Sequence, residues 1–250
     1  MSIDYVSLPA AELVFAVSGR ERHIVTSEAA GVALEFAGGD PRLAHASALC
    51  RRVAKLAPAW GPYSREAALE YGPRCPDCAW ILALHRGDVD EEIAAFTTVN
   101  GFDAAVITAR LGEDFGERLL DKIAHDPALW QGADRLGPSH RSQLLGHTTR
   151  HLPTVAVCQE CAEIGIANAH GYGATCPEVG IICPGCTVAA DGVWAGEWEG
   201  TVLAECTVSA PCSVLTTLAA HYEISCPAVP VRDRTSVAEE QFTPTEQKGG

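Results

Sequence analysis

The chain is poor in lysine: three (Lys55, Lys122 and Lys248) stand against fifteen arginines, and there is a single methionine. That skew, with abundant alanine, points to a high-GC genome and carries no chemistry. No stretch approaches the ~18 consecutive apolar residues of a membrane span. The N-terminal MSIDYVSLPAAELVFAV has no basic start ahead of its short apolar run, so no signal peptide is expected. The expected compartment is the cytoplasm. Enzyme signatures are missing too: there is no Gly-x-Ser-x-Gly, no His-Glu-x-x-His, no phosphate-binding P-loop and no dinucleotide fingerprint. A zinc deaminase is disfavoured because no His-x-Glu precedes a Pro-Cys-x-x-Cys.

Positive charge is missing where it would matter for nucleic acid. Between Arg150 and Arg232 there is no Lys or Arg, while eight Asp or Glu occur there. Phosphate affinity comes from neutralising Lys and Arg, so this part is a poor candidate for gripping a backbone. Residues 1–87 are balanced with nine basic and nine acidic side chains, and residues 88–126 carry ten acidic against three basic. The formal net charge is −14. The stretch RLGPSHRSQLLGHTTRH, 135–151, has three Arg, three His and no acid, and is the one locally basic segment of any length.

Cysteine, by contrast, is plentiful. Three Cys-x-x-Cys pairs, Cys75/Cys78, Cys158/Cys161 and Cys183/Cys186, occur among eleven cysteines. Two intervening residues let one tight turn aim both thiolates at a single tetrahedral ion. A reducing compartment and an odd count argue for metal rather than disulfides. A redox reading of CPDC or CPGC needs a thioredoxin-like βαβ setting, and none surrounds either.

The first expected zinc site is His45-x4-Cys50-x24-Cys75-x2-Cys78, with His23 a rival for the histidine. The second is Cys158, Cys161, Cys183 and Cys186 at zinc-ribbon spacing, each pair entered by a β-branched run. A different partition stays open. Cys206 and Cys212 could complete a site with Cys183 and Cys186, leaving Cys158 and Cys161 to Cys176 and a histidine such as His151 or His170. Cys212 opens a stretch of helical period (Val214, Leu215, Leu218, Tyr222), where the helix dipole favours a thiolate. Cys176 and Cys226 could equally be small buried hydrophobes.

HASALC (45–50), AWGPYS (59–64) and CPDC (75–78) together resemble a pattern in small, uncharacterised zinc-finger-like proteins of actinobacteria and their phages: a His, a Leu-Cys, a loop with Trp and Pro, then Cys-x-x-Cys. AECTVSAPCSVLTTLAAHY (204–222) is similar to a second element of such proteins, a Pro-Cys that opens a helix. The first resemblance covers about 35 residues and departs from the common form at Arg51, where a Gly usually follows the cysteine. It implies metal binding and little about function.

The fold class expected is α+β, with small zinc-stabilised lobes of ribbon or knuckle type joined by an acidic helical segment. Residues 1–87 form a β-rich lobe with the zinc site of one histidine and three cysteines. Within it, 12–36 read as two or three strands turning at Ser18-Gly19 and Ala30-Gly31, 43–57 as a helix (Leu43, Leu49, Val53, Leu56), and 65–71 as a short helix capped by Ser64. Residues 88–134 are helical, with Asp88 as a cap, Glu91 at the capping-box position and Phe115, Leu119, Leu120 and Ile123 on one face. Then come a basic linker at 135–152, a cysteine-rich ribbon-like lobe at 153–229 and a disordered tail at 230–250. The function expected is a non-catalytic zinc-binding protein, holding two or three Zn2+, whose partner is another protein. One alternative is a nucleic-acid-associated protein using Arg51, Arg52, Lys55, Arg141 and Arg150; another is a zinc- or thiol-dependent enzyme.

Overall fold

A computed structural model describes residues 12–19, 21–56, 61–63, 72–99, 101–130, 136–188 and 206–226. The expected Ser64-capped helix and the tail at 230–250 lie outside the described residues. Strands β1 (Leu13–Ser18) and β2 (Glu21–Thr26) pair antiparallel from Leu13↔Thr26 to Ser18↔Glu21. Their turn holds Gly19 at φ 61°, a conformation that suits glycine. The predicted third strand is instead helix α1 (Ser27–Phe36). Thr26 caps it by accepting a hydrogen bond from the Ala29 backbone, and Glu28 complements the dipole in its first turn. Gly31 therefore sits inside a helix rather than in a turn.

The predicted helix over 43–57 is a hairpin, β3 (His45–Ser47) and β4 (Val53–Lys55), in register His45↔Lys55. The apolar residues at helical spacing misled, because Leu43 and Val53 are exposed. Buried Ala44, Ala46 and Ala48 alternate at the strand period instead. The sheet order is β2-β1-β4-β3, and β5 (Gly61–Pro62) also pairs with β1, at Val14 and Phe15.

Helix α2 (Pro76–Arg86) is the hub. Pro76 and all of Cys78 to Leu84 are buried. Cys75, Cys78, Ile81 and Leu82 pack into the core of the sheet and α1, whereas Trp80, Ala83 and Leu84 pack into a second core built by helices. That second core uses α3 (Val89–Thr97), α4 (Gly101–Leu111) and α5 (Phe115–Ala124), and Phe115, Leu119, Leu120 and Ile123 form the buried face of α5 as expected. Asp88 precedes α3 as its cap residue but makes no side-chain capping bond.

The segment read as a basic linker is helix α6 (His140–His151), closed at its start by a reciprocal capping box between Ser139 and Ser142. It packs along α2, and Trp80 Nε1 donates to Thr149 Oγ1 at 2.8 Å. Gly146 makes this approach possible: a Cβ there would lie 3.2 Å from the Asp77 Cα and collide with the Asp77 carboxylate. Helix propensity alone favours Gly→Ala by about 1 kcal/mol. Crowding a rigid contact costs about 1–3 kcal/mol, so Gly146→Ala is expected to lower the denaturant midpoint, and a raised midpoint would show that α6 slides freely on α2.

Beyond α6 come β6 (Thr154–Ala156), α7 (Gln159–Ile164), α8 (Ile166–His170), β7 (Gly180–Ile182) and α9 (Ser213–His221). β6 and β7 pair antiparallel, and Leu215 and Ala219 of α9 are buried in the helical core. Among the described residues no helix is long and apolar enough to cross a membrane. The observed class is a mixed α+β fold.

Candidate metal centres

Three sets of one histidine and three cysteines converge, each with its four donor atoms within 4.8 Å of one another. Site I holds His23, Cys50, Cys75 and Cys78. β2 supplies His23. The Leu49 N–H donates to the Ile24 carbonyl at 2.8 Å, which holds the β3–β4 turn and its Cys50 against that strand. The turn closes through Arg51 at φ 67°. The Cys75 N–H donates to the Arg22 carbonyl at 2.8 Å, while the Arg22 N–H donates to Pro73 at 2.8 Å. Cys75 then caps α2 and Cys78 lies in its first turn, so the i, i+3 spacing puts both sulfurs on one side. His23 Nδ1 is 3.3 Å from Cys50 Sγ and 3.7 Å from Cys78 Sγ. Its Nε2 stands 3.9 Å from the Glu21 carboxylate, a charge neighbour outside hydrogen-bond reach.

Site II holds His151, Cys183, Cys186 and Cys212. His151 is the last residue of α6, Cys183 and Cys186 flank the turn after β7, and Cys212 immediately precedes α9. The Cys186 N–H donates to the Cys183 carbonyl at 3.2 Å, closing the knuckle. His151 Nδ1 lies 3.2 Å from Cys183 Sγ, 3.3 Å from Cys186 Sγ and 3.5 Å from Cys212 Sγ. A single ring nitrogen cannot donate well to three sulfurs at once. Near-equal separations are what a shared central ion produces, since tetrahedral bonds of ~2.3 Å to sulfur and ~2.0–2.1 Å to nitrogen set an N···S edge of about 3.6 Å. Gly185 lets the knuckle approach, because a Cβ there would be 2.7 Å from the Arg150 carbonyl oxygen and 3.0 Å from His151 Nδ1.

Site III holds Cys158, Cys161, His170 and Cys176. Cys158 caps α7, accepting from the Cys161 N–H at 3.4 Å, and its own N–H donates to Cys176 Sγ at 3.3 Å. His170 closes α8 with Nε2 3.4 Å from Cys158 Sγ. All four donors come from one local stretch, 158–176. None of its cysteines belongs to either apolar core, whereas Cys75, Cys78, Cys183 and Cys212 do.

The acid–base balance of these thiols fits a shared cation. Hydrogen bonds from Cys75 and Cys78 hold the Cys50 thiol down at about 3, while hydrogen bonding to Cys50 and Cys75, then burial, push Cys78 far above the ordinary thiol range. Burial, then Cys212 and Cys186, push Cys183 up to about 12. Without a positive centre the Cys50 thiol ionises at the expense of Cys78 in site I, and burial with neighbouring thiols holds Cys183 and Cys186 protonated in site II. A divalent ion removes that conflict and lets all three ionise. Burial, then His147 and Arg150, lower the pKa of His151, keeping the imidazole neutral as a ligand must be.

The structure regroups the expected donors. His23, not His45, joins Cys50, Cys75 and Cys78. His45 is exposed on β3 with Nδ1 3.0 Å from the Leu43 carbonyl. Cys158/Cys161 and Cys183/Cys186 do not share one site but anchor two, each completed by a histidine and a further cysteine. Cys212 joins site II and Cys206 lies outside every cluster, its carbonyl accepting from the Val188 N–H. Cys176 is a donor of site III, while Cys226 packs half-buried beside the helical core. Asp90, Asp121 and His125 also sit close together, but all three are exposed, and the His125–Asp121 contact of 3.0 Å is an ordinary i, i+4 surface pair.

Of the cations considered for nucleic acid, Arg51, Arg52 and Lys55 are exposed on or beside the hairpin. Arg141 and Arg150 are committed inward. Arg141 donates to the Ala124 carbonyl at 2.9 Å, and Arg150 grips Asp77 through two bonds of 2.9 and 2.8 Å. No protein-family model, curated protein or solved structure matches the chain.

Proposed function

We propose that this is a non-catalytic zinc-binding protein in which three structural Zn2+ ions, each held by one histidine and three thiolates, support a surface for protein contact or regulation. The observation that carries the reading is His151 Nδ1 standing near-equidistant from three sulfurs. Soft sulfur with one imidazole suits zinc among the common divalent ions. Four protein donors fill a tetrahedral shell, whereas a catalytic zinc keeps a position for water or substrate. This is the support for a structural rather than an enzymatic role. The inward engagement of Arg141 and Arg150, together with a net charge of −14, favours a protein partner over nucleic acid.

Native mass spectrometry of protein prepared without chelator is expected to show three zinc ions per chain, and strong chelation is expected to collapse near-native circular dichroism along with the ions. Fewer than two ions per chain, or chelation that strips the metal and leaves the thermal transition unmoved, would contradict the structural reading. Retention on DNA at low salt, lost as salt rises, would turn the argument toward the nucleic-acid alternative.

A further inference from the structure

Sites I and II come from different parts of the sequence, yet one residue touches both. The Arg150 guanidinium lies on site I. Besides its two bonds to Asp77, which sits between ligands Cys75 and Cys78, it lies 3.9 Å from Cys75 Sγ and 4.0 Å from Glu21 Oε1. Its backbone lies on site II. It precedes ligand His151, and its carbonyl oxygen is the atom that a Cβ on Gly185, inside the Cys183–Cys186 knuckle, would strike first. With three thiolates and a neutral histidine around Zn2+, site I carries a formal −1, and Asp77 and Glu21 add to it. A guanidinium is the group suited to this place, because it stays charged and its fork matches a carboxylate bidentately.

We propose that sites I and II form one binuclear unit that takes up and releases its two ions together, with Arg150 as the positioning residue that couples them. The inference rests on the reading that both clusters hold zinc. Its two-state element is the last turn of α6. With site II filled, His151 pins that turn, the Trp80–Thr149 bond and the Gly146–Asp77 approach lock it to α2, and the Arg150 fork holds Asp77 so that Cys75 and Cys78 point at the first ion. With site II empty the turn frays, the fork loses its anchor and site I keeps an uncompensated negative charge. The dependence is reciprocal, as linkage requires. Among the described residues no side chain bridges site III to the other two in this way, and it loads by itself.

The test uses the full chain carrying Cys158→Ser and Cys161→Ser, which leaves two sites, with native mass spectrometry along a chelator titration. Two independent sites, whether equal or unequal in affinity, put at least about one half of the molecules in the one-ion form at half release. A tenfold coupling between equal sites lowers that to about one quarter. The expected result is a one-ion fraction well below one half. In the unmodified chain the same coupling reads as two ions lost in one step.

Arg150→Gln is expected to raise the one-ion fraction to a half or more, and Arg150→Lys, which keeps charge but not the fork, to fall between. A purely structural loss would weaken both ions alike and leave that fraction where it was. If Arg150→Gln does not fold, Asp77→Asn, which removes the other end of the fork, gives the same reading. A one-ion fraction at or above one half with Arg150 intact overturns joint uptake and release, and an unchanged fraction in the folded Arg150 or Asp77 variants overturns the role of Arg150. A two-ion form that never appears overturns the zinc reading itself, which is a distinguishable result.

Discussion

Cys183→Ser is expected to abolish the cooperative thermal transition of the protein in excess zinc, while Cys176→Ser removes one ion and leaves the main transition within a few degrees of the parent. The two cysteines are both almost fully buried, so burial alone predicts no such difference. What separates them is their surroundings. Cys183 is part of the helical core with Cys212, Ala210, Leu215 and Leu145, so its substitution leaves buried Cys212 and half-buried Cys186 without their shared ion at that core. Truncating one partner of a buried charged set costs about 3–5 kcal/mol. Zinc peptides show that binding free energy of about 10–16 kcal/mol can be folding free energy outright. Against a total stability of about 5–15 kcal/mol, either figure is decisive.

Cys176 instead closes a local loop on α7 and α8, outside both cores, so its loss unfolds that loop and little else. Circular-dichroism melts with zinc counted in the same samples decide the matter. Equal damage from the two substitutions would mean that the three sites are equivalent supports.

Trp80→Ala is the second large effect expected, about 3–5 kcal/mol. Trp80 is fully buried on α2, the one helix common to both cores among the described residues, with its ring 5.5 Å from that of Phe96 and its indole N–H on Thr149. Removing it opens a cavity, takes the indole donor from Thr149 Oγ1, which keeps only its own bond to the Leu145 carbonyl, and loosens α6 from α2. The loss is read from urea unfolding followed by far-ultraviolet circular dichroism with zinc present. A change under about 1 kcal/mol, the size of an ordinary surface substitution or less, would mean that α2 does not join the two cores energetically.

The sequence made some features legible and hid others for physical reasons. The face of α5 was readable because Phe115, Leu119, Leu120 and Ile123 are large, apolar and periodic. Helix α6 was not, because its buried positions include Ser142, Gly146 and Thr148, small and polar residues that let two backbones approach without leaving a hydrophobic stripe. The hairpin at 45–55 was hidden likewise, since alternating alanines look like a helix former's composition and hide a period of two.

Among the ligands, the Cys-x-x-Cys pairs were visible because their geometry is local. The histidines of sites I and II, His23 and His151, could be named as candidates but not assigned to their cysteines, because each is brought in by long-range contacts. His23 is set by the pairing of β2 with the segment before α2, and His151 by the packing of α6. The i, i+4 pair His147 and His151, with rings 4.5 Å apart, was the available hint that 135–151 held a helix with a chemical end.

Placing α2 between two cores has a consequence for synthesis. The helix is complete at Arg86, but its partner α6 ends only at His151, so the ribosome must add the intervening stretch before α6 can cover its side of Trp80. At about 5–20 residues per second this leaves that apolar surface waiting for roughly 3–13 s. Throughout that interval the sheet and its half of the helix can already be in place, with the second ion's histidine still to be made.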